Sequence, residues 1–500
     1  MKLESEKVII LLSLLGYIGI NIFMMFYHEP WRDELQAISL SKNSNSLASL
    51  VALTKYEGHP SLWFFILFFA SKLSDSLIFI QILHLAIFGV GVFILLKYSK
   101  VDLKLKIPII FGYYFMYEYS IIIRNYGIGI TLLLLACFFI DKKKLILSSI
   151  IIAILFHANI YAFFLGASLW FTVIIHFFTL KTKKIIIGTV ILFFSFILLV
   201  LDILPPEDHF FATEHLVDFR NIMKGFTIIW KSFISIPEFD VHFWNSNVMK
   251  QLFTDKYFSN AVMVFGSSIL LIYSLNYLGK SSSALIFFCT VLFIITFFSI
   301  TKYHGYLRHQ GHLFIAYIVA IWLKEIFPQN QFKQFQLPIS ETFLSKFLIT
   351  SFFKKYFIQF VLFISIIGSI ISYYFDLNYQ FSNGKKVATY IKENYSSNCN
   401  VIGHVDFSAS TISYFLDKDI YYPLSETSSS FIVWDIKRDR DISEKLLLSG
   451  FNNEKTNKKE TILITSFEIE NKNLLEEYKL TLVKEFEPAI VENESFYLYQ

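Results

Sequence analysis

Charge is scarce in this sequence. Asp, Glu, Lys and Arg together make up 17% of 500 residues, where a soluble domain carries about 25%. The deficit excludes an ordinary soluble globular protein. Cysteine is scarcer still: Cys137, Cys289 and Cys399 lie far apart and two of them fall in apolar segments, so there is no disulfide framework and no metal-finger spacing. No small-residue cleavage site follows the first apolar stretch, which is therefore read as a retained span, not a signal peptide. A glycine-rich phosphate loop is absent, which argues against a nucleotide site. The net charge of +4 is too small to argue for a partner, and no nucleic acid is expected.

Hydrophobicity takes the place of charge. Apolar residues make up 55% of the chain, 57 of them Phe, and mean hydropathy is +0.53. They are blocked into runs, such as 185–201, long enough to cross a hydrocarbon core of about 30 Å. About eleven membrane spans are expected, at 8–27, 77–96, 107–117, 127–140, 145–156, 161–178, 185–203, 261–278, 284–300, 312–327 and 356–374. This assignment puts the lysine clusters at 97–106, 142–144, 181–184 and 280 on one side of the membrane, which the positive-inside rule makes cytoplasmic. The loops at 28–60, 118–126, 204–260 and 301–311 and the C-terminal tail then share the opposite face. Residues 62–70 are apolar but short and are read as interfacial or re-entrant; a tilted short span is the alternative.

The fold class expected is mainly α: a polytopic transmembrane helical bundle over 1–375, followed by a small soluble α/β domain over 376–500. In that tail, strand patterns at 400–403, 420–422, 431–434, 461–465, 480–483 and 496–499 alternate with helical patterns at 384–391, 408–416, 443–448 and 474–478.

The polar residues worth weighing lie on the face opposite these lysine clusters. Asp33 and Glu34 follow the first span directly; adjacent carboxylates there suit a general base or a metal, while the plainer reading is two acids favouring the dipole of a short helix. Glu57 and His59 stand in a Gly-His-Pro turn before an apolar helix, which a loop-to-helix junction also explains. Glu118, Arg124 and Tyr126 lie at the membrane boundary, where ionisable groups are costly and functional by default; a Glu118–Arg124 ion pair is the structural alternative. His157 ends the fifth span, where a helix-packing hydrogen bond competes with a ligand role. Lys302, Arg308 and His309 crowd an outer loop with His304 and His312 and suit a phosphate, for which Arg offers a bidentate fork; an ordinary polar turn is the other reading. Glu207, Asp208, His209, Glu214 and His215 supply metal-ligand types at a spacing that matches no defined site.

Taken together, these features resemble the GT-C superfamily of membrane glycosyltransferases, which includes protein O-mannosyltransferases and the bacterial transferases that move aminoarabinose onto lipid A. Asp33-Glu34 stands where such enzymes carry an acidic pair. His59-Pro60-Ser61-Leu62 looks like their His-Pro-Pro-Leu motif, with Ser in place of the second Pro. Glu118 with Arg124-Asn125-Tyr126 is similar to a second acidic residue near an Arg-x-Tyr element, although it lies further from the Arg than in many members. Arg308-His309-Gln310-Gly311 matches a late Arg-His-x-Gly element. The likeness covers roughly residues 8–375.

The resemblance implies an inverting transferase of a bacterial cytoplasmic membrane that takes a sugar from a polyprenyl-phosphate donor. The acceptor is a lipid, glycan or protein hydroxyl at the extracytoplasmic face. It makes Asp33 the base, with Glu34 beside it, and has Glu118 orient the acceptor or hold Arg124. Glu57, His59, Tyr126, His157 and Lys302 join the substrate site, and Arg124, Arg308 and His309 hold the phosphate. Some members use a divalent metal ion and others do not. A transporter or flippase of a lipid-linked sugar is the rival, but it should show internal repeats with broken helices at mid-membrane, and no such repeat is visible; its ionisable residues should also appear mid-span, whereas here nearly all lie at one face. A non-catalytic scaffold would leave Asp33, Glu118, Arg124 and Arg308 without a common purpose.

Overall fold

The computed structural model describes residues 2–177, 182–210, 217–328, 351–438, 443–455 and 460–500. The expected ligand candidates Glu214 and His215 lie outside them. Among the described residues, seven helices are long and apolar enough to cross a membrane: Glu4–Met25, Leu77–Tyr98, Ile160–Phe177, Lys183–Ile203, Lys256–Leu278, Ser282–Thr301 and Tyr356–Asn378. Their outer faces are bare hydrocarbon. Phe193, Phe194, Leu198 and Leu201 of the helix Lys183–Ile203 are all more than half exposed, a belt compatible with a lipid surround.

Seven is fewer than the eleven expected, and the four remaining segments show why. The stretch at 107–117 is broken: the helix Leu103–Ile110, with Pro108 inside it, gives way to a π-helical turn at Tyr114–Glu118. Proline removes a backbone donor and clashes with the preceding turn. The helices Tyr126–Asp141 and Leu145–Phe156 are 16 and 12 residues long, or about 24 and 18 Å at 1.5 Å per residue. The fourth, Leu307–Ile326, is long enough but lies inside the protein, with Leu307–Leu323 buried throughout. Enclosure lets it carry Arg308, His309, Gln310 and His312 at depths where lipid would penalise them.

The segment expected to be interfacial is the helix Leu62–Leu73. The Ser61 amide and hydroxyl before it both donate to Asp202, at the end of Lys183–Ile203. Asp75 just beyond it pairs with Lys42 at 3.3 Å, and Lys42 also approaches Asp417 of the C-terminal part at 3.8 Å. Both ends of this helix therefore lie at the same end of the bundle.

The C-terminal part carries a six-stranded sheet of β1 (Asn400–His404), β2 (Ile420–Tyr422), β3 (Thr427–Ser429), β4 (Thr461–Thr465), β5 (Leu482–Glu485) and β6 (Tyr497–Tyr499). Their order is β3-β2-β1-β4-β6-β5. β1 runs parallel to β2 and β4, and the other pairings are antiparallel. β1 is buried but for its first residue and β4 from end to end, as strands inside a covered sheet are. The strand expected at 431–434 is not one; the hairpin partner of β2 is Thr427–Ser429. Residues 431–434 turn instead toward the membrane bundle, where the Ile432 amide donates to Gln36 Oε1 at 2.9 Å and Gln36 Nε2 donates to the Ile432 carbonyl at 2.6 Å. The Lys385 amide donates to Glu29 (2.7 Å) and the Arg32 amide to Glu494 (3.2 Å). Polar clamps of this kind fix the sheet domain over the end of the bundle that carries Asp33.

Candidate functional site

A cleft of about 590 Å³ opens between the bundle end and the sheet domain. Its floor begins with the helix Arg32–Asn43. Trp31 caps that helix, and the Glu34 side chain accepts from the Trp31 amide at 3.1 Å. This capping fixes the direction of the first turn and so the position of Asp33. The Asp33 carboxylate lies 3.6 Å from an Arg124 nitrogen and 3.7 Å from an Arg308 nitrogen. Arg124 also donates to the Asp33 carbonyl at 2.6 Å. Burial would raise the pKa of Asp33, but Arg124, Arg308 and Arg32 outweigh it and hold the carboxyl below its ordinary value. Asp33 is thus ionised, weakly basic and fixed in place.

Arg308 is boxed by rings. Its guanidinium centre lies 4.8 Å from the Tyr306 centroid, 5.0 Å from Trp244 and 5.5 Å from Trp31. One nitrogen donates to Asn245 at 3.3 Å. The Nε atoms of both Arg124 and Arg308 are buried with no protein partner, so two guanidiniums face one carboxylate with donors to spare. Such an arrangement suits a phosphate oxyanion.

Groups whose proton affinities burial has shifted complete the wall. His59 Nε2 accepts from Arg124 at 3.4 Å, and burial together with Arg124 pushes its pKa down to about 3. Burial pushes Glu57 up to about 7, although Gln36 donates to it at 2.8 Å and Arg124 is near. The Tyr306 amide donates to His309 Nδ1 at 2.9 Å, which leaves the ring proton on Nε2. That nitrogen donates to the Tyr126 oxygen at 2.8 Å, and the Tyr126 hydroxyl proton is left to face the cleft.

The structure therefore gathers Asp33, Glu57, His59, Arg124, Tyr126, Arg308 and His309 around one space, from four separate chain segments. Four expected site residues do not line it. Glu34 is fully buried behind Asp33, where its carboxylate accepts from the Ile123 and Trp31 amides and meets His28 at 3.3 Å; it holds the turn together. Glu118 is buried too and does not touch Arg124. It accepts from Tyr113 at 2.6 Å and from Trp244 Nε1 at 3.2 Å, so it reaches the cleft only through the Trp244 ring. His157 lies in the helix packing, 3.2 Å from the Ser195 hydroxyl. Lys302 is exposed, and neither it nor His157 lines the cleft. His209 bridges Asp435 of the sheet domain, and Asp208 accepts from Tyr56 at 2.9 Å. Among the described residues, no group of three or more His, Cys, Asp or Glu side chains is placed to hold a metal ion.

Two features escape a linear reading of the sequence. Trp244, Phe407, Trp434 and residues 490–493 also wall the cleft, and only tertiary docking brings them there. A second cavity of about 530 Å³ shares Asn245 and Tyr306 with the first. Lys224, Lys231, Lys250 and Lys256 line it, and no carboxylate does. Burial and the neighbouring Lys250 and Lys224 push Lys231 down to about 8. It opens beside the first turns of the span Lys256–Leu278, whose Tyr257, Phe258 and Phe265 point outward. Lysines at the end of the bundle away from the other lysine clusters depart from the positive-inside pattern, and that was the signal available in the sequence.

Comparison with protein-family models finds no match for this chain, and comparison with curated proteins finds none.

Proposed function

We propose that the protein is an integral membrane glycosyltransferase of the GT-C kind. It moves a sugar from a polyprenyl-phosphate donor to a hydroxyl acceptor at the extracytoplasmic face of a bacterial cytoplasmic membrane. The observation that carries the reading is Asp33, held ionised between Arg124 and Arg308 in a cleft at one end of a lipid-exposed bundle. A carboxylate fixed beside two guanidiniums with spare donors supplies a base and an anion seat within one sugar's reach. The adjoining lysine cavity, open beside a lipid-facing span, supports a donor whose phosphate is tethered to a lipid chain.

In the reaction, the acceptor oxygen attacks the anomeric carbon from the face opposite the phosphate. The bond between that carbon and the phosphate oxygen breaks, and the electron pair leaves with the phosphate. Asp33 takes the hydroxyl proton. Its lowered pKa makes it a poor base in solution, so its contribution comes from position. Arg124 and Arg308 neutralise charge developing on the leaving phosphate. The neutral His59 and His309 add no charge of their own and keep Arg124 and Tyr126 oriented. A topology of eleven crossings, with the short helices and the enclosed Leu307–Ile326 counted, belongs to the same reading.

The rival reading, a lipid-linked sugar transporter, is tested together with it. Asp33→Asn keeps the size of the side chain and leaves the helix start to the Trp31–Glu34 cap, but cannot take a proton. Sugar transfer by purified protein should fall by about 10²–10⁴ at equal membrane abundance. Transfer at the wild-type rate would remove Asp33 from the chemistry, and sugar-lipid translocation without transfer would establish the rival.

A further inference from the structure

The sheet domain has a cavity of its own, about 200 Å³, at the carboxyl ends of β1 and β2. That edge of a parallel sheet is where loops form ligand crevices. Three aromatic rings wall it. Phe407 and Trp434 lie nearly parallel, at 21° with centroids 6.2 Å apart, and Phe210 comes from the long loop before the helix Phe219–Phe226. Residues 208–210 are pinned, because the Phe210 amide donates to the Trp434 carbonyl at 3.0 Å and the Ile436 amide to the Asp208 carbonyl at 2.8 Å.

The polar groups of the cavity are unevenly used. Arg438 donates to both Asp406 oxygens, at 2.7 and 2.6 Å, and its guanidinium centre lies 4.0 Å from the Trp434 centroid. This bidentate pair is rigid and carries no net charge. Yet Arg438 Nη1 and the Tyr422 hydroxyl are buried with no protein partner. A buried donor without a partner is costly, and here two of them belong to residues that line one aromatic-walled space. The occupant that answers them is uncharged, because the one guanidinium is already neutralised. It bears oxygens for Tyr422 and Arg438, and C–H faces for the rings. A saccharide unit has all of these.

We propose that this cavity is a carbohydrate-binding subsite for a neutral sugar. Phe407 and Trp434 line both it and the Asp33 cleft, so a sugar held here borders that cleft across their rings. As the seat of the acceptor's saccharide portion, the subsite rests on the transferase reading; as a saccharide site, it does not.

The full chain in lipid nanodiscs free of sugar detergent provides the test. Saturation-transfer NMR is run with methyl glycosides of glucose, galactose, mannose, N-acetylglucosamine and arabinose as probes, and with inorganic phosphate as competitor. At least one glycoside should bind and resist displacement by phosphate. Tyr422→Phe should weaken it about three- to tenfold at unchanged thermal stability, Trp434→Ala should abolish it, and Asp33→Asn should leave it intact. No binding by any glycoside overturns the proposal. So does binding that survives Trp434→Ala, or binding that is lost in Asp33→Asn or to phosphate. Intact glycoside binding by a protein that translocates a sugar-lipid but transfers no sugar would sink the transferase reading and leave the subsite standing.

Discussion

At the residue scale, the cleft works by contrast among neighbouring ionisable groups. Arg308 sits among the rings of Tyr306, Trp244 and Trp31, a geometry that a flat guanidinium fits and an ammonium does not. Arg308→Ala should weaken binding of a polyprenyl-phosphate-linked donor by on the order of 1.5–3 kcal/mol, roughly tenfold or more, and Arg308→Lys by less. Isothermal titration against the donor measures both, and unchanged affinity in the alanine variant would remove Arg308 from the phosphate site. Glu57 behaves oppositely to Asp33: burial raises it to about 7 from an ordinary 4.5. The folded state therefore binds its proton more tightly than the unfolded chain does. That contribution is complete below about pH 4.5 and is lost as pH rises through about 7. Glu29 and Glu494 are raised to about 7 as well, so Glu57→Gln should flatten the decline in unfolding temperature over this range without abolishing it. Identical pH profiles for the variant and the wild type would mean that Glu57 is ionised in the fold.

At the element scale, the enclosed helix Leu307–Ile326 matters most, since it carries Arg308 and His309 through the centre of the bundle. Close approach is what lets it fit. A methyl group at Gly311 would overlap the Tyr114 ring and come within 2.6 Å of the Tyr119 hydroxyl, and both tyrosines are buried. Tyr119 in turn donates to the Arg308 carbonyl at 2.7 Å. Gly311→Ala should therefore cost about 1–3 kcal/mol through overpacking and shift Arg308 with it. Folded yield and thermal stability in detergent should both drop; full stability would show that the Tyr114–Tyr119 stack yields. The sequence marks this glycine only as part of an Arg-His-x-Gly string, because the tyrosines that make it necessary lie almost two hundred positions earlier.

At the scale of the whole molecule, the sheet domain and the bundle form one site. Glu29, Arg32 and Gln36 bind the domain's backbone or side chains directly. His28 adds a buried bridge between Glu34 (3.3 Å) and Asp376 (2.8 Å) at the end of the last long helix. Burial alone would discharge this ring, but Asp376 and Glu34 outweigh it and raise its pKa to about 10, so the bridge is ionic. The C-terminus must then lie on the same side of the membrane as Asp33. The proposed reading makes that side extracytoplasmic, and a reporter active only in the cytoplasm should then be silent when fused after Gln500. An active fusion would overturn the orientation and the count of eleven crossings.

Composition and hydropathy were enough to identify a helical membrane bundle with a sheet domain at its end, because hydrophobic runs and strand alternation are local properties of the chain. The polar residues Asp33, His59, Arg124 and Arg308 stood out for the same reason: each interrupts or borders apolar sequence where charge is costly. Their roles relative to one another were not local. Glu34 and Glu118 read as site residues because burial leaves no trace in a short motif, and only the fold turned them inward to Ile123 and Trp244. The apolar run of Leu307–Ile326 carries no sign in the sequence that other elements enclose it. The lysine cavity and the aromatic wall shared by Phe407 and Trp434 join segments that lie far apart in the chain, so only the packing of domain on bundle could create them.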